Sequence, residues 1–201
     1  NKIIGIIPAR MGSSRFPGKP LYLINGKPMI QHVIERSAKY KNWDRMLVTT
    51  CDKEIKKTVE NIGYEVIMTS NRHKRALDRV AEAAKKIKSN DKDIIVCVQA
   101  DEPMLTKQMI EEAVNPVKNN KNINSTVLAL NITSEKMFNS KDIVKIIFNN
   151  SGKVLYTSRT PIPFVDSKFS IKLDLRRIGG IFAFEYKYLR LFIKKAETRL
   201  E

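Results

Sequence analysis

Ten consecutive residues, Arg10-Met11-Gly12-Ser13-Ser14-Arg15-Phe16-Pro17-Gly18-Lys19, bring together two arginines, a lysine, two serines and two glycines. Glycines let backbone N–H groups approach phosphate oxygens, and Arg and Lys add charge-assisted hydrogen bonds to the same anions. The chemistry this set can do is to grip a nucleoside triphosphate. Arg10, Arg15 and Lys19 supply the charge, and Ala9, Gly12 and Ser13 supply backbone and hydroxyl donors. The spacing is neither Gly-x-x-x-x-Gly-Lys-Ser/Thr nor Gly-x-Gly-x-x-Gly, so the two common nucleotide loops are excluded. A second cluster, Gln99-Ala100-Asp101-Glu102-Pro103, follows the apolar run Ile94 to Val98. A carboxylate beside a triphosphate is where a Mg²⁺ ligand is needed, because that ion bridges one or two carboxylates to phosphate oxygens. Asp101 is the expected ligand. Glu102 either supports it or caps the next turn.

The elements that must position these residues alternate in the first half of the chain. Lys2 to Ile7 reads as a buried strand running into the basic loop. Helix periodicity follows from Met29 to about Tyr40, with Ile30, Val33 and Ile34 on one face. Met46 to Thr50 is a strand, and Asp52 is expected to cap a helix carrying Ile55, Val59 and Ile62, with Gly63 as its stop. Glu65 to Met68 is a strand, a helix carries Leu77, Val80, Ala84 and Ile87, and Ile94 to Val98 is apolar enough to be covered on both faces. This βαβαβαβ order predicts a Rossmann-like, doubly wound, mostly parallel α/β sheet, whose ligands bind beyond the carboxyl ends of the strands. In the second half, Met109 to Lys118 is helical, and Ser125 to Ile132, Ile143 to Phe148 and Val154 to Ser158 are strands. Asn149 to Gly152 turns between the last two. Gly180 to Phe184 is a further short strand before a helix from Tyr186. The Pro-containing segment Pro161 to Lys172 suits a projecting arm, over about 156–175, on a single 1–201 domain.

Composition narrows the class. The 42% apolar and 29% charged residues are those of a globular chain, and no apolar run reaches the roughly 18 residues of a membrane span. A cytoplasmic protein without a membrane partner is expected. Cys51 and Cys97 lack metal-ligand spacing and read as reduced thiols, and His32 and His73 are too scattered for a zinc site. The net charge of +16 is spread over many helices rather than gathered on one element with aromatics, so nucleic acid is not the expected partner. The initial Asn suggests slight trimming of the N-terminus.

The ordered set Pro-Ala-Arg-x-Gly-Ser-x-Arg-x-Pro-Gly-Lys-Pro at Pro8 to Pro20 resembles the signature of sugar nucleotidyltransferases. The closest resemblance is to the 3-deoxy-manno-octulosonate (Kdo) cytidylyltransferases. Gln99-Ala100-Asp101-Glu102-Pro103 resembles that family's Gln-Gly-Asp-Glu-Pro with Ala100 for Gly. Gly26 to Val33, Ile67-Met68-Thr69 with His73, Val144-Lys145 and Leu155 to Pro163 resemble further family segments. The resemblance implies a Rossmann-like fold with an arm that pairs two subunits. It implies use of CTP and Mg²⁺ to make a CMP-sugar for lipopolysaccharide or surface polysaccharide, with Gln99 reading the cytosine and Asp101 holding the metal.

The resemblance also implies nucleotidyl transfer, in which the anomeric hydroxyl of an acidic sugar attacks the α-phosphate of CTP. Arg10, Lys19 and Asp101 are the catalytic candidates. Lys145, Arg159 and Arg177 are candidates for the sugar's carboxylate or phosphate side. Two departures bear on the sugar. Arg75-Ala76-Leu77-Asp78-Arg79 replaces Ser-Gly-Thr-Asp/Glu-Arg, which makes Arg75 a candidate substrate contact. Arg177-Ile178-Gly179-Gly180-Ile181 replaces Arg-His-x-Gly-Ile. Amino-Kdo or a nonulosonate is therefore an alternative sugar, and a non-catalytic nucleotide- or nucleic-acid-binding homologue the alternative of another class. Thr198 to Glu201 resembles the segment preceding the family's last helices, where a second metal aspartate is expected.

Overall fold

The computed structural model describes residues 1–12, 16–166 and 169–196. In chain order the elements are β1 (Ile3–Pro8), a 3-10 turn (Lys19–Leu21), the two-residue strands β2 (Leu23–Ile24) and β3 (Lys27–Pro28), α1 (Met29–Ser37), β4 (Arg45–Thr50), α2 (Lys53–Asn61), β5 (Val66–Met68), α3 (Ala76–Lys86), β6 (Ile94–Val98) and α4 (Lys107–Asn119). There follow β7 (Ser125–Asn131), α5 (Glu135–Asn139), β8 (Lys145–Phe148), β9 (Val154–Ser158), β10 (Arg176–Glu185) and α6 (Tyr186–Ile193). The chain packs as two compact units, Asn1–Thr126 with Gly180–Glu201, and Val127–Gly179.

In the first unit β5, β4, β1 and β6 lie side by side and parallel, with Pro8 opposite Thr49 and Ile6 opposite Cys97. The later half of β10 closes that edge antiparallel to β6, Ile181 against Val98 and Glu185 against Ile94. Alternation along β1 explains the two layers of helix. Ile4 and Ile6 pack with Leu47, Ile95 and Cys97 against Val80, Ala83 and Ala84 of α3 and Leu189 of α6. On the other face Gly5 lies under the Trp43 indole, which a Cβ would meet at 3.1 Å. That indole donates to the Ser37 carbonyl at the end of α1 and stacks edge-on against Tyr40. This is the expected mostly parallel α/β sheet. Burial, and after it the Asp101 charge, push the Cys97 thiol up to about 12, in keeping with a protonated core thiol.

In the second unit β8 and β9 form the expected hairpin, β10 pairs with β8 at Arg177 and Lys145, and β7 pairs with β10. The expected arm falls on Val154–Ser158 and the largely irregular chain after it, Ser167 and Lys168 lying outside the described residues.

Several elements differ from their sequence-based expectation: the short helix α5 was not expected, and β8 begins at Lys145 rather than Ile143. Helix α1 stops at Ser37, three residues short. β10 runs ten residues instead of beginning at Gly180. Its glycines mark close approach: a Cβ on Gly179 would lie 3.1 Å from Leu128, and one on Gly180 would lie 2.3 Å from Glu102 Cγ. Asp52 stands at the N-cap of α2, but its side chain makes no capping bond and is used elsewhere. Among the described residues no helix is long and apolar enough to cross a membrane.

The amino edge of the first unit's sheet is held by acids. Buried Asp93 accepts the Lys2 N–H at 2.9 Å and the Asn90 N–H at 2.8 Å, and Asp44 accepts the Ile3 N–H at 2.7 Å. Asp93→Ala strands two donors and lowers the unfolding free energy by about 2–4 kcal/mol. Urea titration of the two proteins measures the loss, and coincident curves would remove Asp93 from this role.

Candidate active site

The carboxyl ends of β1 and β6 and the start of α3 open onto a cavity of about 250 Å³, lined among others by Ala9, Arg10, Lys19, Arg79, Gln99 and Asp101. β1 delivers Ala9, which is buried and donates its N–H to the Thr49 carbonyl at 2.9 Å. The next fixed point is Met11, whose N–H donates to Asp52 Oδ2 at 2.8 Å. This is where the Asp52 side chain goes. The loop closes through the Gly18 N–H on the Met11 carbonyl at 3.0 Å, and Gly18 sits at φ +73°, a conformation that favours glycine. Lys19 follows at the start of the 3-10 turn. Ser13 and Arg15, two of the expected phosphate contacts, lie outside the described residues. Arg10 is exposed beside the cavity, and Gly12 stands open with nothing within 4 Å of a built Cβ.

β6 delivers the other half of the site. The Gln99 N–H donates to the Gly180 carbonyl at 2.8 Å, and the Glu102 and Leu105 N–H groups donate back to the Gln99 and Glu102 carbonyls. The Glu102 side chain lies against Gly180, so it packs as a support of the turn. Asp101 points to the basic loop, and its Oδ2 accepts from Lys19 Nζ at 2.8 Å. The two residues expected to share one polyphosphate therefore meet across 82 positions of sequence. Among the described residues no three His, Cys, Asp or Glu side chains gather as a ready metal cage. An exposed carboxylate beside a lysine would fit a Mg²⁺ that drew its other ligands from phosphate and water.

The wall between β5 and α3 carries the remaining charge. Glu82 accepts from the Ser70 N–H at 3.0 Å and from Lys86, and it pairs with His73 in a short contact. Burial alone would raise the Glu82 pKa; the Ser70, Lys86 and His73 hydrogen bonds override it and hold the acid at about 2. Arg75 lines the cavity, but its guanidinium grips Asp78 at 2.9 Å, reaches the Ile193 carbonyl at the end of α6, and lies 5.7 Å over the Phe192 ring. It serves as a clamp between α3 and α6 in addition to any substrate role. His32 is satisfied by the Ile24 carbonyl at 2.8 Å.

Two site residues were not legible as such. Asp52 gave only a capping signal. Arg79 stood only as part of Arg75-Ala76-Leu77-Asp78-Arg79. Its available signal was a charged residue at the helical spacing of the apolar face of α3, one turn before Ala83, and it is 3% exposed.

Lys145, Arg159 and Arg177 belong to the second unit. Lys145 does not fit the expectation of a substrate contact. Its side chain is buried, and its ammonium spends three donors on the carbonyls of Ser140, Ile143 and Arg159 at 2.6, 3.0 and 2.8 Å. Burial, and then the Arg159 charge, lower its pKa. It anchors the β8–β9 hairpin. Arg159 donates to the Lys141 carbonyl at 3.0 Å and remains exposed, and Arg177 leaves its buried Nε without a partner among the described residues.

A family model described as cytidylyltransferase matches residues 4–201. A 3-deoxy-manno-octulosonate cytidylyltransferase of Thermodesulfovibrio yellowstonii is 40% identical over 98% of this chain and 81% of its own length. An 8-amino-3,8-dideoxy-manno-octulosonate cytidylyltransferase of Shewanella pealeana is 38% identical over 98% of this chain and 80% of its own. Among solved structures, a CMP:2-keto-3-deoxy-manno-octonic acid synthetase complexed with CTP superposes with a TM-score of 0.86 at 32% identity, covering 99% of this chain and 80% of that one. A 4-diphosphocytidyl-2C-methyl-D-erythritol synthase, at 16% identity and TM-score 0.64, shares the fold alone.

The Glu82 contacts make a pH prediction. Its folded pKa lies below the ordinary 4.5, so its stabilisation is complete above about pH 4.5 and is lost as the pH falls toward about 2. Glu82→Gln lowers stability at pH 7 by about 1–3 kcal/mol, since solvent screens a side chain that is 24% exposed. The deficit shrinks on acidification through that window. Denaturant curves at pH 7 and pH 3 check this; an unchanging deficit would contradict it.

Proposed function

This chain belongs to the cytidylyltransferase family, and we propose that it activates Kdo or a close acidic-sugar relative as its CMP-sugar, consuming CTP and releasing pyrophosphate. The observation that carries the reading is the 2.8 Å contact of Lys19 with Asp101 over the cavity floored by Ala9 and Gln99. A cation for the polyphosphate and an acid for its counter-ion converge there, on a nucleotidyltransferase fold. The 32% identity to a CTP-complexed synthetase and the 40% identity to Kdo cytidylyltransferases support the nucleotide and the sugar class. The 38% identity to an amino-Kdo enzyme keeps that sugar as the second candidate.

The reaction forms one P–O bond and breaks another: the anomeric hydroxyl attacks the α-phosphorus, loses its proton, and pyrophosphate departs. Positioning and charge neutralisation do most of the work in such displacements. Arg10 and Lys19 would hold the phosphates, Gln99 the base, and Arg159 and Arg177 the acid group of the sugar. Asp101 would hold Mg²⁺, which when bound neutralises phosphate charge and acidifies the attacking hydroxyl. Lys19 and Asp101, paired here at 2.8 Å, are the residues that would turn to the phosphates and to the metal respectively. Cytoplasmic supply of lipopolysaccharide or surface polysaccharide precursors is the proposed setting. Pairing of two copies through the second unit is supported by exposed Leu155 (61%), Tyr156 (60%) and Phe164 (87%), apolar surface that a partner would cover.

Pyrophosphate release from CTP, Kdo and Mg²⁺ tests the mechanism. Lys19→Ala and Asp101→Asn each slow it on the order of 10²–10³-fold; equal rates in all three proteins would overturn the reading. For the pairing, Leu155→Asp converts a dimer to monomer in sedimentation velocity. A wild-type monomer, or a variant that stays dimeric, would overturn it.

A further inference from the structure

Lys145 is fully buried, yet it lies opposite Ser158 in the β8–β9 pair, one residue before the exposed cation Arg159. The two cations together organise the turn that precedes β8. Lys145 Nζ donates to the carbonyls of Ser140 and Ile143 at 2.6 and 3.0 Å. Arg159 Nη1 donates to the carbonyls of Lys141 and Asp142 at 3.0 and 3.5 Å. Four successive carbonyls of one turn thus end on a cation, the outer two on the ammonium and the inner two on the guanidinium. The third bond of the ammonium, at 2.8 Å, goes to the carbonyl of Arg159 itself. Lys145 therefore fixes both the backbone from which the guanidinium starts and the turn on which it rests.

An ammonium has three N–H donors, and all three are used. While protonated it has neither a donor for an anion nor a lone pair for attack, so any effect on the reaction passes through what it holds. Arg159 is what it holds. Only Nη1 of that guanidinium is engaged; among the described residues its Nε and Nη2 meet no acceptor. A carboxylate takes two N–H groups of a guanidinium side by side, and the Nε–Nη2 edge is such a pair. A long side chain on a loose turn would lose rotamer freedom in making that bidentate bond, whereas one held at both ends has little left to lose. We propose that Lys145 is a positioning residue for the sugar's acid group, fixing Arg159 so that its Nε–Nη2 edge binds the carboxylate. The assignment rests on the reading of Arg159 as a sugar contact and deepens it. It also explains why a lysine is buried where an apolar residue would cost less: three inward carbonyls need a compact donor.

Steady-state pyrophosphate release by the full chain tests this, with KM measured separately for CTP and for the sugar (Kdo or amino-Kdo, whichever turns over). Lys145→Met, an apolar side chain of similar length, raises the sugar KM about 10-fold and spares the CTP KM. Arg159→Met does the same, and Lys145→Met adds nothing further in that background, because both act on one contact. A purely structural role would raise both KM values, or add in the Arg159→Met background; either result overturns the proposal, as does a folded Lys145→Met with the wild-type sugar KM. If Lys145→Met unfolds, the wild type decides through its pH profile. Burial, and then the Arg159 charge, lower the Lys145 pKa from the ordinary 10.5, so its proton leaves as the pH rises toward that value. The other charged groups around it are Lys141 and Asp142 of the turn and Arg177, opposite it on β10. The sugar KM of the wild type rises over that range while that of Arg159→Met stays level; a flat wild-type profile overturns the proposal. No pyrophosphate release from either sugar overturns the proposed function itself. An unchanged sugar KM in Arg159→Met removes the reading of Arg159 and this assignment with it, whereas a change in Arg159→Met alone removes only the role of Lys145.

Discussion

Everything chemical in the first unit depends on β1 and β6 being parallel, hydrogen-bonded neighbours. Ile6 stands opposite Cys97, so two residues further on both chains leave the sheet at the same edge, at Pro8 and at Gln99. Parallel neighbours are the arrangement that puts two successive strand ends together; antiparallel ones would send Asp101 to the far side of the sheet. From that edge one loop folds back far enough to return Lys19 to Asp101. The approach is then fixed from both sides: Gly180 accepts Glu102 against its bare Cα, and Gly18 takes the left-handed turn that starts the 3-10 segment.

Behind the basic loop runs a continuous polar seam. Thr49 bonds Thr69 at 3.0 Å, Arg79 donates to Thr69 and Cys51, the Cys51 thiol donates to Asp52 at 3.6 Å, and Asp52 accepts from Met11. The seam joins the ends of β4 and β5, helix α3 and the loop. A loop that must wrap a polyanion gains from such backing, because donors fixed in advance need no reorganisation when charge arrives. Asp52 is the joint. Had it capped α2 as its position suggested, the Met11 N–H would need another acceptor.

The fold was legible because its signals are local and repeated. Ile94 to Val98 reads as a strand covered on both faces and is one, buried along its length. The alternation of β and α elements then leaves few topologies. Lys19 and Asp101 were legible because each lies in a segment that follows an apolar strand, Lys19 closing the basic loop after β1 and Asp101 in the turn after β6, where side-chain type and place agree. The failures arise where a partner is set only by the folded chain, whether it lies far away in sequence or in a nearby turn. Asp52 reaches 41 positions back to Met11. Lys145 has the sequence of a surface cation, and only the folded hairpin shows three carbonyls closing on its ammonium. The glycines of β10 carry no signal of their own in the sequence, and only the folded chain brings Leu128 and Glu102 against them.

Burial also separates the roles that the +16 net charge confuses. An exposed lysine or arginine is screened within about 10 Å at ordinary salt, so it draws in an anionic ligand but does not distinguish one from another. Arg10 is of that kind. Cations such as Arg45, held by Glu65 at 2.5 Å, are neutralised locally and contribute little beyond the fold. A buried guanidinium on neutral partners is neither screened nor neutralised, and its fixed plane imposes geometry on whatever approaches. Composition counts all three alike. The same number of arginines distributed otherwise would give an attractive surface without a guanidinium fixed in the cavity wall.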